Sequence, residues 1–337
     1  MIDVFGTLGP ACDDIETLSE MLKSGMTGIR LNLSHTTLAQ SREQLDKVRA
    51  ASERTGISCK LLIDLQGPEL RIGALSDPMN LRDGDRISAV KTIPFPDAVL
   101  KALKPGQQIL LDDGKILLEM EDMEYARVLR GGSLKSRKSI ALPGTAISGP
   151  VLTETDLENL SHAAEYGVTG VMQPFVRSKE DLISVRSAFR AFGAEHIRLY
   201  AKIENDDGVC RLPELLPYSD EIVIARGDLG NAVTLYRLPA VQKQISRQCR
   251  EAGKPFMVVT QMLASMEHSP IPTRAEITDV FNAVLDGASS VMVTGETAQG
   301  AYPVDSIRVL AGMTIEAERY LREEQTEKDN VLIKQER

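Results

Sequence analysis

The segments Arg198-Leu-Tyr-Ala-Lys-Ile-Glu-Asn205 and Glu221-Ile-Val-Ile-Ala-Arg-Gly-Asp-Leu-Gly230 read as two buried strands with their exits. Each begins as an apolar run and ends in charge, which brings the ammonium of Lys202 and the carboxylates of Glu204 and Asp228 to one mouth. Lys202 and Glu204 are two residues apart, so on a strand they point to the same side. Asp228 stands between glycines that let a ligand approach the backbone. The set suits phosphate and metal chemistry. A structural ion pair at a strand end is the other reading, because such networks also gather opposite charges.

Working outward, the same alternation of strand and helix recurs on both sides. Val4–Thr7 reads as a strand, with a turn and helix-capping residues through Asp14 before a helix carrying Leu18, Met21 and Leu22. Thr27–Leu33 follows, with Ile29, Leu31 and Leu33 on one side and Arg30, Asn32 and Ser34 on the other. A helix from about Leu38 to Thr55 leads to the strand Lys60–Asp64. Downstream, helices at 154–166, 178–191, 238–252 and 274–285 alternate with strands at 167–172, 198–203, 221–225, 255–260 and 290–294. Pro303 opens a closing helix to about Glu323, and Thr326 to Arg337 reads as a charged tail.

The rhythm breaks once. Between Gly73 and Pro143 short β-like segments are punctuated by Asp83-Gly, Pro105-Gly, Asp113-Gly and Gly131-Gly, which are hairpin and turn signals. Residues 74–143 are therefore expected to form an inserted all-β lid, with 1–73 and 144–325 forming the main domain. The basic run Lys135-Ser-Arg-Lys138 reads either as a phosphate clamp or as a solvated loop.

Eight strands in alternation with helices, joined by short connections, favour an α/β (β/α)8 TIM barrel over an open sheet. An open dinucleotide-binding sheet would carry a glycine-rich fingerprint after its first strand, which Leu8-Gly-Pro-Ala does not supply. In a barrel, Arg30, Asn32, Ser34, Asp64, Lys202, Glu204, Asp228, Thr260 and Glu296 all fall at C-terminal strand ends, the functional face of this architecture. The net charge of −9 argues against a general nucleic-acid binder. Four scattered cysteines indicate neither zinc nor a disulfide framework, and no apolar run reaches membrane-spanning length, so a cytoplasmic protein is expected.

Glu204 and Asp228 without a neighbouring histidine suit Mg²⁺ or Mn²⁺ that keeps positions for water and substrate oxygens. Lys202 can neutralise a transferring phosphoryl or an enolate, and Arg30 can grip phosphate. Asn32, Ser34 and Asp64 offer oxygens with one formal charge, suited to a monovalent cation or to hydrogen bonding. Gly227 and Asp228 can present backbone N–H groups at a helix start to a substrate carboxylate. The expectation is phosphoryl or enolate chemistry on a small anionic acid.

The chain resembles the pyruvate kinase family in Thr7-Leu-Gly-Pro-Ala, Ile29-Arg-Leu-Asn-Leu-Ser-His35, Gly67-Pro-Glu-Leu-Arg71, Leu111-Asp-Asp-Gly114, Leu142-Pro-Gly144, Ala201-Lys-Ile-Glu-Asn205, Ala225-Arg-Gly-Asp-Leu-Gly230, Thr260-Gln-Met-Leu263, Pro272-Thr-Arg-Ala-Glu276 and Gly295-Glu-Thr-Ala298. The resemblance implies phosphoryl transfer between phosphoenolpyruvate and ADP, giving pyruvate and ATP. It implies Mg²⁺ at Glu204 and Asp228, and K⁺ at Asn32, Ser34, Asp64 and the Leu65 carbonyl. It also implies Lys202 on the phosphoryl and enolate charge, Thr260 near the enolate carbon, Arg30 on phosphate, and Arg30, Asn32, His35 and Arg71 beside nucleotide. Glu69 matches the residue that accompanies K⁺ dependence, and a homo-dimer or higher homo-oligomer is expected by the same route.

Several positions depart from the family pattern. Leu65 and Gln66 replace a threonine and a lysine, Pro174 a serine, Thr155 a lysine near nucleotide, and Thr36 a glycine. No C-terminal effector domain, and hence no sugar-phosphate allostery, is expected from the sequence. Two other readings are a Mg²⁺-dependent barrel enzyme of enolisation, decarboxylation or lyase type, and a ligand-binding regulatory homologue with weak turnover.

Overall fold

The computed structural model describes residues 2–34, 36–68, 70–112, 114–145 and 150–335, with side chains through Thr326. Its centre is a closed barrel of eight parallel strands: β1 (Asp3–Thr7), β2 (Gly28–Asn32), β3 (Lys60–Asp64), β4 (Gly170–Gln173), β5 (Arg198–Ile203), β6 (Glu221–Ala225), β7 (Phe256–Val259) and β8 (Ser290–Met292). Each strand pairs with its neighbours in sequence, and β8 closes on β1. The expected (β/α)8 architecture is the one observed.

Register decides what faces the axis. Phe5 lies beside Gly28 and Met292, Arg30 beside Leu62, Asn32 beside Asp64, Met172 beside Tyr200, and Lys202 beside Val223. Phe5, Leu62, Met172, Tyr200, Val223, Met257 and Met292 accordingly pack in an interior apolar cluster. The alternate set, including Ile29, Leu31, Leu33 and Ile63, packs in the larger cluster between strands and helices. The polar side of β2 thus faces the barrel axis and not solvent. Two inward glycines make room for rings: a Cβ on Gly28 would stand 2.2 Å from Phe5, and one on Gly170 would stand 2.5 Å from Tyr200.

The outer layer includes α1 (Ile15–Lys23), α2 (Arg42–Thr55), α3 (Glu154–His162), α4 (Lys179–Ala191), α5 (Arg226–Ala232), α6 (Leu238–Glu251), α7 (Arg274–Leu285) and α8 (Pro303–Gln335). The α2 helix starts later than the apolar spacing predicts, because Thr37–Ser41 forms a turn knitted by side-chain bonds to Gln40 and Ser41. The closing helix continues past Glu323 to Gln335, so the tail extends a helix already anchored on α1 and α7.

After β3 the chain builds a five-stranded antiparallel sheet in the order 140–141, 108–111, 116–120, 125–130 and 86–88, with a separate pair, 79–81 and 132–134. This excursion is not all-β as its turn signals suggest, since it also holds the short helices Ala89–Thr92 and Asp97–Ala102. Their Ala89 and Val99 help fill its own apolar core, together with Ile109, Leu111, Leu118 and Val128.

Candidate active site

Lys202 lies on β5 near its C-terminal end, with its side chain nearly buried. Its Nζ is 3.0 Å from Glu204 Oε1 and donates to both Asp64 oxygens at 3.2 and 3.1 Å. Arg30 donates to Asp64 Oδ2 through Nη2 at 2.6 Å and Nε at 3.0 Å. Burial works against the Lys202 ammonium, but Asp64 and Glu204 hold its pKa above the ordinary value. Burial also opposes the Asp64 carboxylate, yet Lys202 and Arg30 together keep it below the usual carboxylate range.

Glu204 is the exception. Its Oε2 accepts from the Phe175 N–H at 2.8 Å. Burial first, then the negative charges of Asp228 and Asp64, push its carboxyl up to about 7 despite Lys202. Glu204 and Asp228, near enough for their charges to act on each other, offer the carboxylate oxygens that a hard divalent cation takes. Asp228 lies in the first turn of α5, whose N-terminus has no side-chain cap, beside Gly227. A Cβ on Gly227 would stand 3.1 Å from Thr260 Cγ2.

The candidate monovalent site is gathered on one rim. Asn32 pairs in register with Asp64, its Oδ1 accepts from the Ser34 N–H at 3.2 Å, and Leu65 directly follows Asp64. Amide, hydroxyl, carboxylate and carbonyl oxygens make a donor set suited to a weakly charged cation.

A groove of about 590 Å³ opens between this rim and the β-rich excursion, and it is lined by Ser34, Thr36, Gln66, Arg71, Arg137, Lys138 and Thr155, among others. Arg71 lies in it and donates to the Arg137 carbonyl at 3.0 Å, whereas Arg30 and Asn32 stand on the barrel side and do not line it. His35 lies outside the described residues, as does Glu69. The basic run contributes Ser136, Arg137 and Lys138 to the groove, with the Lys138 charge held by Asp112 at 2.6 Å. Three positions that depart from the family pattern, Thr36, Gln66 and Thr155, line the same groove.

Glu296 is at the mouth but is turned to another purpose: it is buried and accepts from the Leu263 and Thr294 N–H groups. Met262, Met266 and Met292 are buried, as core residues should be.

Sequence reading missed four groups. Asp156 is fully buried and accepts from the Gln66 and Gly67 N–H groups at 2.9 and 3.0 Å, fixing the loop after β3. Its signal was available in Thr153-Glu-Thr-Asp156, which forms a capping box on α3. Phe175 adopts φ 52°, and its N–H engages Glu204. Arg226 and Asp279 form a 2.6 Å ion pair beside Thr260, a link between distant segments that no spacing announces.

The fold and mouth define a (β/α)8-barrel protein with a lysine-and-carboxylate site at the C-terminal strand ends and an excursion beside it. The profile described as "Pyruvate kinase, barrel domain" matches residues 1–307, and the chain belongs to the pyruvate kinase family. It is 34% identical over 331 residues to a pyruvate kinase of Geobacillus stearothermophilus, covering 94% of this chain and 56% of that one. To the cytosolic isozyme of pyruvate kinase of Glycine max it is 37% identical over 334 residues, covering 94% and 65%. To a pyruvate kinase of Staphylococcus saprophyticus it is 35% identical over 328 residues, covering 93% and 56%. The chain therefore spans between 56% and 65% of these relatives' lengths. Among the described residues no helix is long and apolar enough to cross a membrane.

Proposed function

We propose that this mouth transfers a phosphoryl group between phosphoenolpyruvate and ADP, giving pyruvate and ATP. The observation that supports it most is Lys202 held between Asp64 and Glu204 at the C-terminal end of a barrel belonging to this family. Glu204 and Asp228 would hold Mg²⁺, which supplies positive charge to the phosphoryl and enolate oxygens when bound. Asn32, Ser34, Asp64 and the Leu65 carbonyl would hold K⁺.

The chain's own groups divide the remaining task. The N–H groups of Gly227 and Asp228, at an uncapped helix start, take the substrate carboxylate. Lys202 and Arg30 neutralise the negative charge that moves between substrate and nucleotide phosphate. The Thr260 hydroxyl, reaching through water, passes a proton to the methylene carbon as the enolate becomes pyruvate. Nucleotide lies in the groove with Arg71, where the Thr155 hydroxyl stands in place of a lysine, so phosphate contact there relies on Arg71, Arg137 and Lys138.

Coupled measurement of pyruvate formation with Mg²⁺, in K⁺ and then in Na⁺, tests the reading. Turnover that requires ADP, is higher in K⁺ and collapses in Lys202→Met is expected. Oxaloacetate decarboxylation, or proton exchange from pyruvate, with no ADP-dependent product would move the assignment to enolate or lyase chemistry.

A further inference from the structure

Thr260 and Gln261 are consecutive residues in the left-handed region, at φ 76° and 54°. That conformation is rare for a β-branched residue and persists only where surrounding contacts enforce it. The enforcing group is Arg226. Its Nε and Nη2 donate to the Thr260 carbonyl at 3.1 and 2.8 Å, and Nη2 donates also to the Gln261 carbonyl at 3.1 Å. Nη1 is held by Asp279 Oδ2 at 2.6 Å, and the side chain is nearly buried. The same Nη2 lies 3.0 Å from Met262 Sδ.

The guanidinium thus clamps the exit of β7 from the exit of β6, and Asp279 on α7 fixes the clamp from outside. The next residue, Gly227, leaves space that the Thr260 methyl approaches. Hydroxyl and methyl share one Cβ, so a carbonyl held on one side and a methyl seated on the other fix the direction of the hydroxyl. Resting on the Thr260 role given above, we propose that Arg226, keyed by Asp279, is a positioning residue that aims the Thr260 hydroxyl at the reacting carbon.

A lysine keeps the charge but cannot form the fork to two carbonyls. In Arg226→Lys, kcat is expected to fall by about 10²-fold, as for a misplaced catalytic group. KM for phosphoenolpyruvate should stay within about threefold, because the contact acts on the reacting step and not on ground-state binding. Solvent proton exchange from pyruvate should slow in parallel. The double variant Arg226→Lys/Thr260→Val should be no slower than Thr260→Val alone, since residues acting through one group are not additive. Multiplied losses in the double variant, or a change confined to KM, would overturn the proposal. If Arg226→Lys does not fold, Asp279→Asn makes the same comparison with the guanidinium retained. Should the wild-type protein form no ATP, the functional reading fails by itself. Crystal structures of wild type and variant then decide the positioning: Thr260 leaving the left-handed region in the variant supports it, and Thr260 unmoved overturns it.

Discussion

Asp64 takes two donated bonds from Arg30 and two from Lys202, in a pocket where its own side chain is almost wholly buried. Removing one member of a buried ion pair leaves the other desolvated and uncompensated. Asp64→Asn is expected to cost about 3–5 kcal/mol of stability, read by denaturant unfolding, and to lower turnover by displacing Lys202. At this scale the sequence was informative where chemistry lies at a strand exit, as at Lys202, Glu204, Asp228 and Asp64. Asp156, Phe175 and Arg226 were hidden because each bond joins a side chain to a backbone group on another segment, which residue type alone does not reveal.

Two helices of the outer layer begin with the same device, a capping box. Thr153 and Asp156 on α3, and Thr273 and Glu276 on α7, each form a reciprocal box. Thr273→Ala should cost about 1 kcal/mol in thermal or chemical unfolding, the usual loss for such a cap. Asp156→Ala should cost more, since the Gln66 and Gly67 N–H groups also lose their acceptor, and it should weaken nucleotide binding by loosening the groove wall. Element type was legible throughout the barrel because short, near-continuous apolar runs, such as those of β6 and β7, match strands buried on both faces. Boundaries were less so: β4 begins at Gly170 and not Gly167, because Gly167 at φ 71° still belongs to the turn after α3. The short helices of the excursion were obscured by the turn dipeptides around them.

The whole barrel separates two charged ends. Opposite the mouth, Asp3, Lys60, Arg198, Glu221 and Ser290 begin their strands, with Glu221 buried and accepting from Ser290, Ser289 and Arg198. Burial, opposed by Ser290 and Arg198 and reinforced by Asp3, raises the Glu221 pKa. The folded state then binds more protons than the unfolded one between the ordinary carboxyl value and the raised one, so stability falls as pH rises through that window. Glu221→Gln should gain stability relative to wild type on going from acid to neutral pH; a difference independent of pH would contradict this. At the other end, Gly114 meets α5, where a Cβ would stand 2.7 Å from Asn231 Oδ1. Gly114→Val, at φ 78°, should push the excursion off α5 and raise KM for the nucleotide, with little change in phosphoenolpyruvate binding. This long-range contact had no local signature, whereas the barrel itself was readable from rhythm alone.

The destination of the transferred phosphate tests the central claim most directly. Phosphoenolpyruvate labelled in its phosphate is incubated with ADP, Mg²⁺ and K⁺, in the wild-type protein and in Lys202→Met. Label appearing in the terminal phosphate of ATP in step with pyruvate, and absent from ATP in the variant, is the expected result. Label left in phosphoenolpyruvate or released as inorganic phosphate by the wild-type protein, with none in ATP, would contradict the account.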